Sequence, residues 1–230
     1  MRMKDLGRRV IAYTAALSIQ ASSEELYKRE KVSRVLKVKL LNDDLVEVGG
    51  PGLCFEDTKL LKAVASGFAI PQVLPLILNL KNSLESIYIL LKIRQSLLSD
   101  VVNSEKVSLG LIAGLSGTAA FANYNLNYIK LLKEHRNEVV LFTVANSAID
   151  IWFYFSSDNV WVIKSGPFSL NATTIFTFKD LSVAYNAITG WFDHLAGPAI
   201  GDVKISGNLP FLDKVGYISR KVQQQVPSIL

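Results

Sequence analysis

Few residues in this chain are of types that do chemistry, and their spacing restricts them further. Cys54 is the lone cysteine, and His135 and His194 are the two histidines. One cysteine forms no intramolecular disulfide, and three scattered Cys and His residues make no tetrahedral zinc set, so a disulfide scaffold and a zinc module are both excluded. Gly114-Leu115-Ser116-Gly117 approaches a nucleophile elbow, but it lacks the second glycine spacing and lies in an apolar helical run rather than a strand-turn-helix. Asp193-His194 offers an acid beside a base, yet adjacent side chains do not converge on one reacting atom and no nucleophile is identifiable near them. The phosphate loop G-x-x-x-x-G-K-[ST], the dinucleotide loop G-x-G-x-x-G and the zinc helix H-E-x-x-H are all absent. The expectation is therefore no catalytic residue, no metal, no cofactor and no enzymatic activity.

The 230 residues suffice for one large domain or two small ones, and half of them are hydrophobic. A mean hydropathy of +0.27 is high for a soluble protein. Lys and Arg number 25 against 20 Asp and Glu, and the resulting +5 is spread without a dense basic tract. That scatter excludes a nucleic-acid surface, which needs clustered cations interleaved with aromatics.

Residues 5 to 30 read as an amphipathic helix; Asp5 within the basic start argues against a targeting segment. Val35, Leu36, Val38 and Leu40 before Asn42-Asp43-Asp44, and Leu45, Val46 and Val48 after it, read as a hairpin that Gly49-Gly50-Pro51-Gly52 stops. From Asp57 the period becomes helical, and Leu84, Ile87, Tyr88, Leu91 and Leu98 form the apolar stripe of an amphipathic helix. Residues 63 to 80 carry no charge, but Pro71 and Pro75 argue against a straight membrane span. Residues 107 to 129 are also uncharged; Gly110 and Gly114 would permit close helix approach, and Asn123, Asn125 and Asn127 dilute the apolarity. That stretch reads as a buried or membrane-touching helix.

Strands dominate the second half. Val139 to Val144, Ile149 to Phe155, Val160 to Lys164, Thr173 to Phe178 and Val203 to Ser206 are β-branched and aromatic runs, with helices expected from Asp180 and from Pro210 to Gln225. The fold class is α+β, with an antiparallel sheet covered by helices in residues 105–230 and a mostly helical region with a hairpin in residues 1–104. The halves also echo one another: Thr14-Ala-Ala-Leu17 matches Thr118-Ala-Ala-Phe121, and Phe55-Glu-Asp57 with Gly67 matches Phe178-Lys-Asp180 with Gly190. A degenerate internal repeat is one reading of this.

Val160 to Ile163, Ile175 to Phe178, Asp180, Thr189-Gly190 and Gly201 to Asn208 follow one another in an order that resembles the sterol carrier protein type-2 family of lipid-binding domains. The resemblance covers about residues 115 to 225. It implies an α/β sandwich around an apolar tunnel for a fatty acyl chain, sterol or isoprenoid, with no catalysis. The residues assigned to the lining are Phe142, Ile151, Phe153, Phe155, Trp161, Ile163, Phe176, Phe178, Ile188, Trp191, Phe192 and Phe211. The expected partner is thus a long apolar lipid, bound and exchanged with membranes. Basic residues at the N-terminus (Arg2, Lys4, Arg8, Arg9) and near the C-terminus (Lys214, Arg220, Lys221) could approach an anionic bilayer from a cytoplasmic location. Against this stands a scaffold, dimeric or attached to a membrane through apolar helices, with no ligand cavity.

Overall fold

The computed structural model describes residues 3–41, 45–67, 69–192 and 196–226. Asn42-Asp43-Asp44, the Asp193-His194 pair and the side chain of Lys4 lie outside the described residues. The chain forms two compact units, one from residues 1–98 and the other from residues 99–223.

The first unit opens with α1 (Met3–Lys28), followed by the three-stranded antiparallel sheet β1 (Val38–Leu40), β2 (Leu45–Val48) and β3 (Cys54–Glu56). Its hairpin, as expected, joins β1 to β2, pairing Val38 with Val48 and Leu40 with Val46, and β3 adds a strand beyond β2. The edge of β1 is held by α1: Leu36 N donates to Ser23 Oγ (2.8 Å) and Val38 N to Gln20 Oε1 (2.9 Å). Such side chains occupy amide groups that would otherwise template a further strand. Cys54 is buried in β3, and burial pushes its thiol pKa up, with the Glu47 charge opposite adding to this and a backbone hydrogen bond at Gly52 opposing it.

Three helices complete the unit: α2 (Asp57–Ser66), α3 (Val73–Leu78) and α4 (Leu80–Leu98). Pro75 falls in the first turn of α3, where no intrahelical N–H is required, so the proline-bearing stretch forms a short helix and not a span. The helical period over α4 is as expected, but the expected apolar stripe is not its buried face. Ser83, Ser86, Ile89, Ile93 and Leu97 are buried, whereas Leu84, Tyr88, Leu91 and Leu98 are exposed. Two small hydroxyls explain the reversal: Ser83 Oγ donates to Asn79 O (3.0 Å) and Ser86 Oγ to Asn82 O (2.9 Å). Satisfied by their own helix, the serines let α4 lie against the loop at Gly49 and Gly52, where bulkier side chains would collide.

The second unit contains α5 (Ser104–Tyr124), α6 (Leu126–Leu132), β4 (Val139–Val144), β5 (Asp150–Phe155), β6 (Trp161–Ser165), β7 (Thr174–Phe178), α7 (Leu181–Thr189), α8 (Ala196–Ala199), β8 (Val203–Ser206) and α9 (Leu209–Gln225). The sheet runs β6-β5-β4-β7-β8. One pairing departs from the antiparallel expectation: β4 and β7 are parallel, so the sheet is mixed. Parallel neighbours need a crossover. Residues 166–173 supply it across the sheet face opposite the helices, where Phe168 packs on Trp152 and Tyr154 with ring centroids 5.5 and 4.7 Å away.

Among the described residues, α5 is the one helix long and apolar enough to cross a membrane, and 72% of its apolar window is buried. It is the core helix of this unit, packed on β5, β6 and α7. Asn123, expected only to dilute its apolarity, brackets the first residue of edge strand β6: its Nδ2 donates to Trp161 O (2.8 Å) and its Oδ1 accepts from Trp161 N (2.7 Å). The two glycines of α5 differ. A Cβ on Gly110 would lie 2.8 Å from Ile188 Cγ2 of α7, whereas one on Gly114 would meet nothing within 4 Å. Gly114→Ala is therefore expected to stabilise the protein by about 0.5–1 kcal/mol through helix propensity. Gly110→Ala is expected to destabilise it by about 1 kcal/mol, because overlap with Ile188 exceeds the same gain. Thermal melts of the two variants check both signs.

The sequence echo holds at helix ends: α2 and α7 both stop at a left-handed glycine, Gly67 and Gly190. Strand pairing does not follow it. β3 lies antiparallel beside β2 of its hairpin, but β7 leaves the β5–β6 hairpin and pairs parallel with β4.

Candidate functional site

The helix-facing side of the five-stranded sheet follows from its register. Ile205, Phe176, Phe142, Ile151 and Ser165 are cross-strand partners in one row, Phe153 and Ile163 pair in another, and Phe155 pairs with Trp161 in a third. Side chains alternate along each strand, so all of these point towards α5, α7 and α9. Their rings join into two groups. Phe153 stacks on Trp161 at 5.1 Å, and Trp161 meets Phe155 at 5.2 Å and Phe211 of α9 at 5.5 Å. Phe176 meets Phe142 at 5.7 Å and Phe178 at 4.8 Å, and Phe178 meets Phe192 at 6.4 Å.

Cover varies within each group, and Phe142 and Phe178 of the second are buried. Phe153, Phe211, Ile151 and Trp161 are buried core. Phe176, Ile188, Phe192 and Ile205 are half-buried, although β7 is an interior strand flanked by β4 and β8. Phe155 and Ile163 are half-buried as well. Inward residues of an interior strand are ordinarily the best covered in a two-layer unit. Trp191, expected in the lining, is 84% exposed, just past the end of α7. Ile200 is exposed just before β8. Ile205, not among the residues expected in the lining, shares the row of Phe176, and the alternation Val203, Ile205 in β8 carries its signal.

The motif residues of the sequence hold the frame rather than the apolar face. Asp180 Oδ1 accepts from Val183 N (2.9 Å) as the N-cap of α7. Asn208 ties three elements: its Oδ1 accepts from Phe211 N (3.1 Å), its N donates to Thr174 Oγ1 (2.9 Å) and its Nδ2 donates to Glu138 Oε1 (2.6 Å). The bonds from Val183 N to Asp180 and from Phe211 N to Asn208 cap α7 and α9, each worth about 1 kcal/mol.

Polar chemistry is sparse and peripheral. Lys214 Nζ lies 2.8 Å from His135 Nε2. The His135 ring stacks on Phe211 at 5.0 Å. Burial raises the Tyr128 pKa, with a smaller contribution from Tyr217, and Tyr128 stacks on Phe121 at 5.8 Å. Ser116 lies within α5, not on a strand-to-helix turn. Among the described residues no group of three or more His, Cys, Asp or Glu could hold a metal.

No protein-family model matches the chain, and no curated protein matches it either. Solved structures do. One described as a UbiJ-SCP2 ubiquinone synthesis protein is 12% identical, covering 51% of this chain and 96% of its own, at a TM-score of 0.39. Sterol carrier protein domain 2 of Helicoverpa armigera is 14% identical over 52% of this chain and 92% of its own, at 0.39. Sterol carrier protein 2 of Yarrowia lipolytica is 18% identical over 57% of this chain and 98% of its own, at 0.33.

Proposed function

We propose that the second unit is a non-catalytic lipid-binding module that holds a long apolar molecule against the helix-facing side of its sheet. The observation that carries this is Phe176: an aromatic side chain of an interior strand, pointing at the helical layer, yet half-buried, with half-buried Ile188, Phe192 and Ile205 on the same side of the sheet or in the elements that cover it. Ligand sites are apolar and concave with few polar groups, and four of the five side chains that point inward from this row, Ile205, Phe176, Phe142 and Ile151, are apolar, with Ser165 at its β6 end the polar one. The resemblance of the sequence to the sterol carrier protein type-2 family points the same way. Burying a dozen methylenes at about 0.8 kcal/mol each gives roughly 10 kcal/mol gross, enough for binding after ordering costs. No charged anchor is needed, so chain length and width select the ligand more than its headgroup.

Native mass spectrometry of the purified chain, followed by organic extraction, tests the reading. A fatty acid, sterol or isoprenoid near one per chain is the expected result. A bare mass, with no uptake of a fluorescent fatty acid added afterwards, would reject it.

A further inference from the structure

The first unit carries a second feature that owes nothing to the lipid module. From Ala63 to Leu80 no residue is charged, and Lys62 and Lys81 bound the run. Val73, Leu74, Ile77 and Leu78 repeat on one side of α3 and are exposed, Leu74 at 69% and Leu78 at 72%. The side of α4 that its serines leave outside continues the pattern with Leu84, Tyr88 and Leu91. Large apolar side chains this exposed, contiguous along two consecutive helices, mark a docking surface.

The charges around the patch indicate what docks. Lys62 and Lys81 are exposed, and Lys92 sits over the Tyr88 ring at 5.7 Å. The acidic residue of α4, Glu85, is already engaged by Arg34 (3.1 Å) and Ser33 (2.6 Å). Glu56 is likewise held by Lys59 at 2.9 Å. The rim is therefore cationic with its carboxylates neutralised. A second copy of the chain meeting this patch about a two-fold axis would bring the same lysines together. An anionic lipid surface complements them instead. Six residues of α3 cannot span a bilayer, and α4 keeps Ile89, Ile93 and Leu97 buried in its own unit, so the pair can only lie in the interface plane. We propose that α3 and the outer side of α4 form a docking face for an anionic membrane, with Leu74, Ile77 and Leu78 entering the acyl boundary and Lys62, Lys81 and Lys92 at headgroup level.

Flotation of the full chain with phosphatidylcholine vesicles, with and without phosphatidylglycerol, tests this. Binding is expected only with the anionic lipid and is expected to weaken with added salt. The exposed double substitution Leu74→Ser/Leu78→Ser is expected to lower vesicle affinity about tenfold or more while leaving the thermal melt unchanged. Lys81→Glu/Lys92→Glu is expected to lower it about fivefold or more. Absence of flotation, or flotation unaffected by the serine pair, overturns the proposal. So does a dimer in sedimentation velocity that the same serine pair dissolves, since the face then belongs to a second copy. Ligand extraction from the second unit is read separately, so either result leaves the other legible.

Discussion

Replacing Gly207 with alanine is expected to cost about 3 kcal/mol and to lower the melting temperature by roughly 10 °C. Gly207 joins β8 to α9 at φ +110, a conformation L side chains rarely adopt. A Cβ there would also run into the Thr173 carbonyl oxygen and lie 2.7 Å from Thr174 Cα, and neither is a flexible side-chain tip that can move aside. Relief would require β8 to part from β7 or Asn208 to leave its place. The second route releases the cap on Phe211 N and the hydrogen bond to Glu138 together, which is why strain and lost hydrogen bonds add in this position. Circular dichroism melts of Gly207→Ala beside Gly114→Ala give the contrast: the same methyl group destabilises one site and stabilises the other. Equal melts for the two would show that the turn relaxes freely.

The positions most legible in the sequence are those where one residue type answers a local backbone need. Asp180 before a helix, Gly190 after it, Gly207-Asn208 before α9 and the alternation of β4 to β8 each declare an element, and the structure forms those elements within a residue or two of the expected bounds. Strand direction has no such local signature. The same alternation serves a parallel or an antiparallel neighbour, so the β4–β7 pairing had to await the crossover and its Phe168 anchor. The outward stripe of α4 was misread for a related reason. Periodicity reports that a helix has an apolar face but not that Ser83 and Ser86, donating to the carbonyls of Asn79 and Asn82, can make a better-packed one. On α5, Asn123 looked like a cost to apolarity because its partner, the backbone of Trp161, is distant in sequence. Among the apolar residues assigned to the site, composition could not separate the buried from the half-buried; the structure does so.

That difference in cover yields the second large effect. Phe211→Ala removes a fully buried ring wedged between Trp161 (5.5 Å) and His135 (5.0 Å), and the void is expected to cost about 3–5 kcal/mol. Phe176→Ala removes a ring of the same size from the other group, but one that is half-buried and therefore surrounded by fewer partner atoms. Its stability cost is expected to be about 1–2 kcal/mol, while affinity for a fluorescent fatty acid falls about tenfold. The ratio of the two losses is the informative quantity. A core residue loses stability, with binding lost only in proportion to unfolding; a lining residue loses binding in a chain that still melts cooperatively. Urea titration and ligand titration on the same two preparations give both numbers. If Phe176→Ala proves as destabilising as Phe211→Ala and binds ligand unchanged, Phe176 is core and the lipid site must lie elsewhere on the sheet.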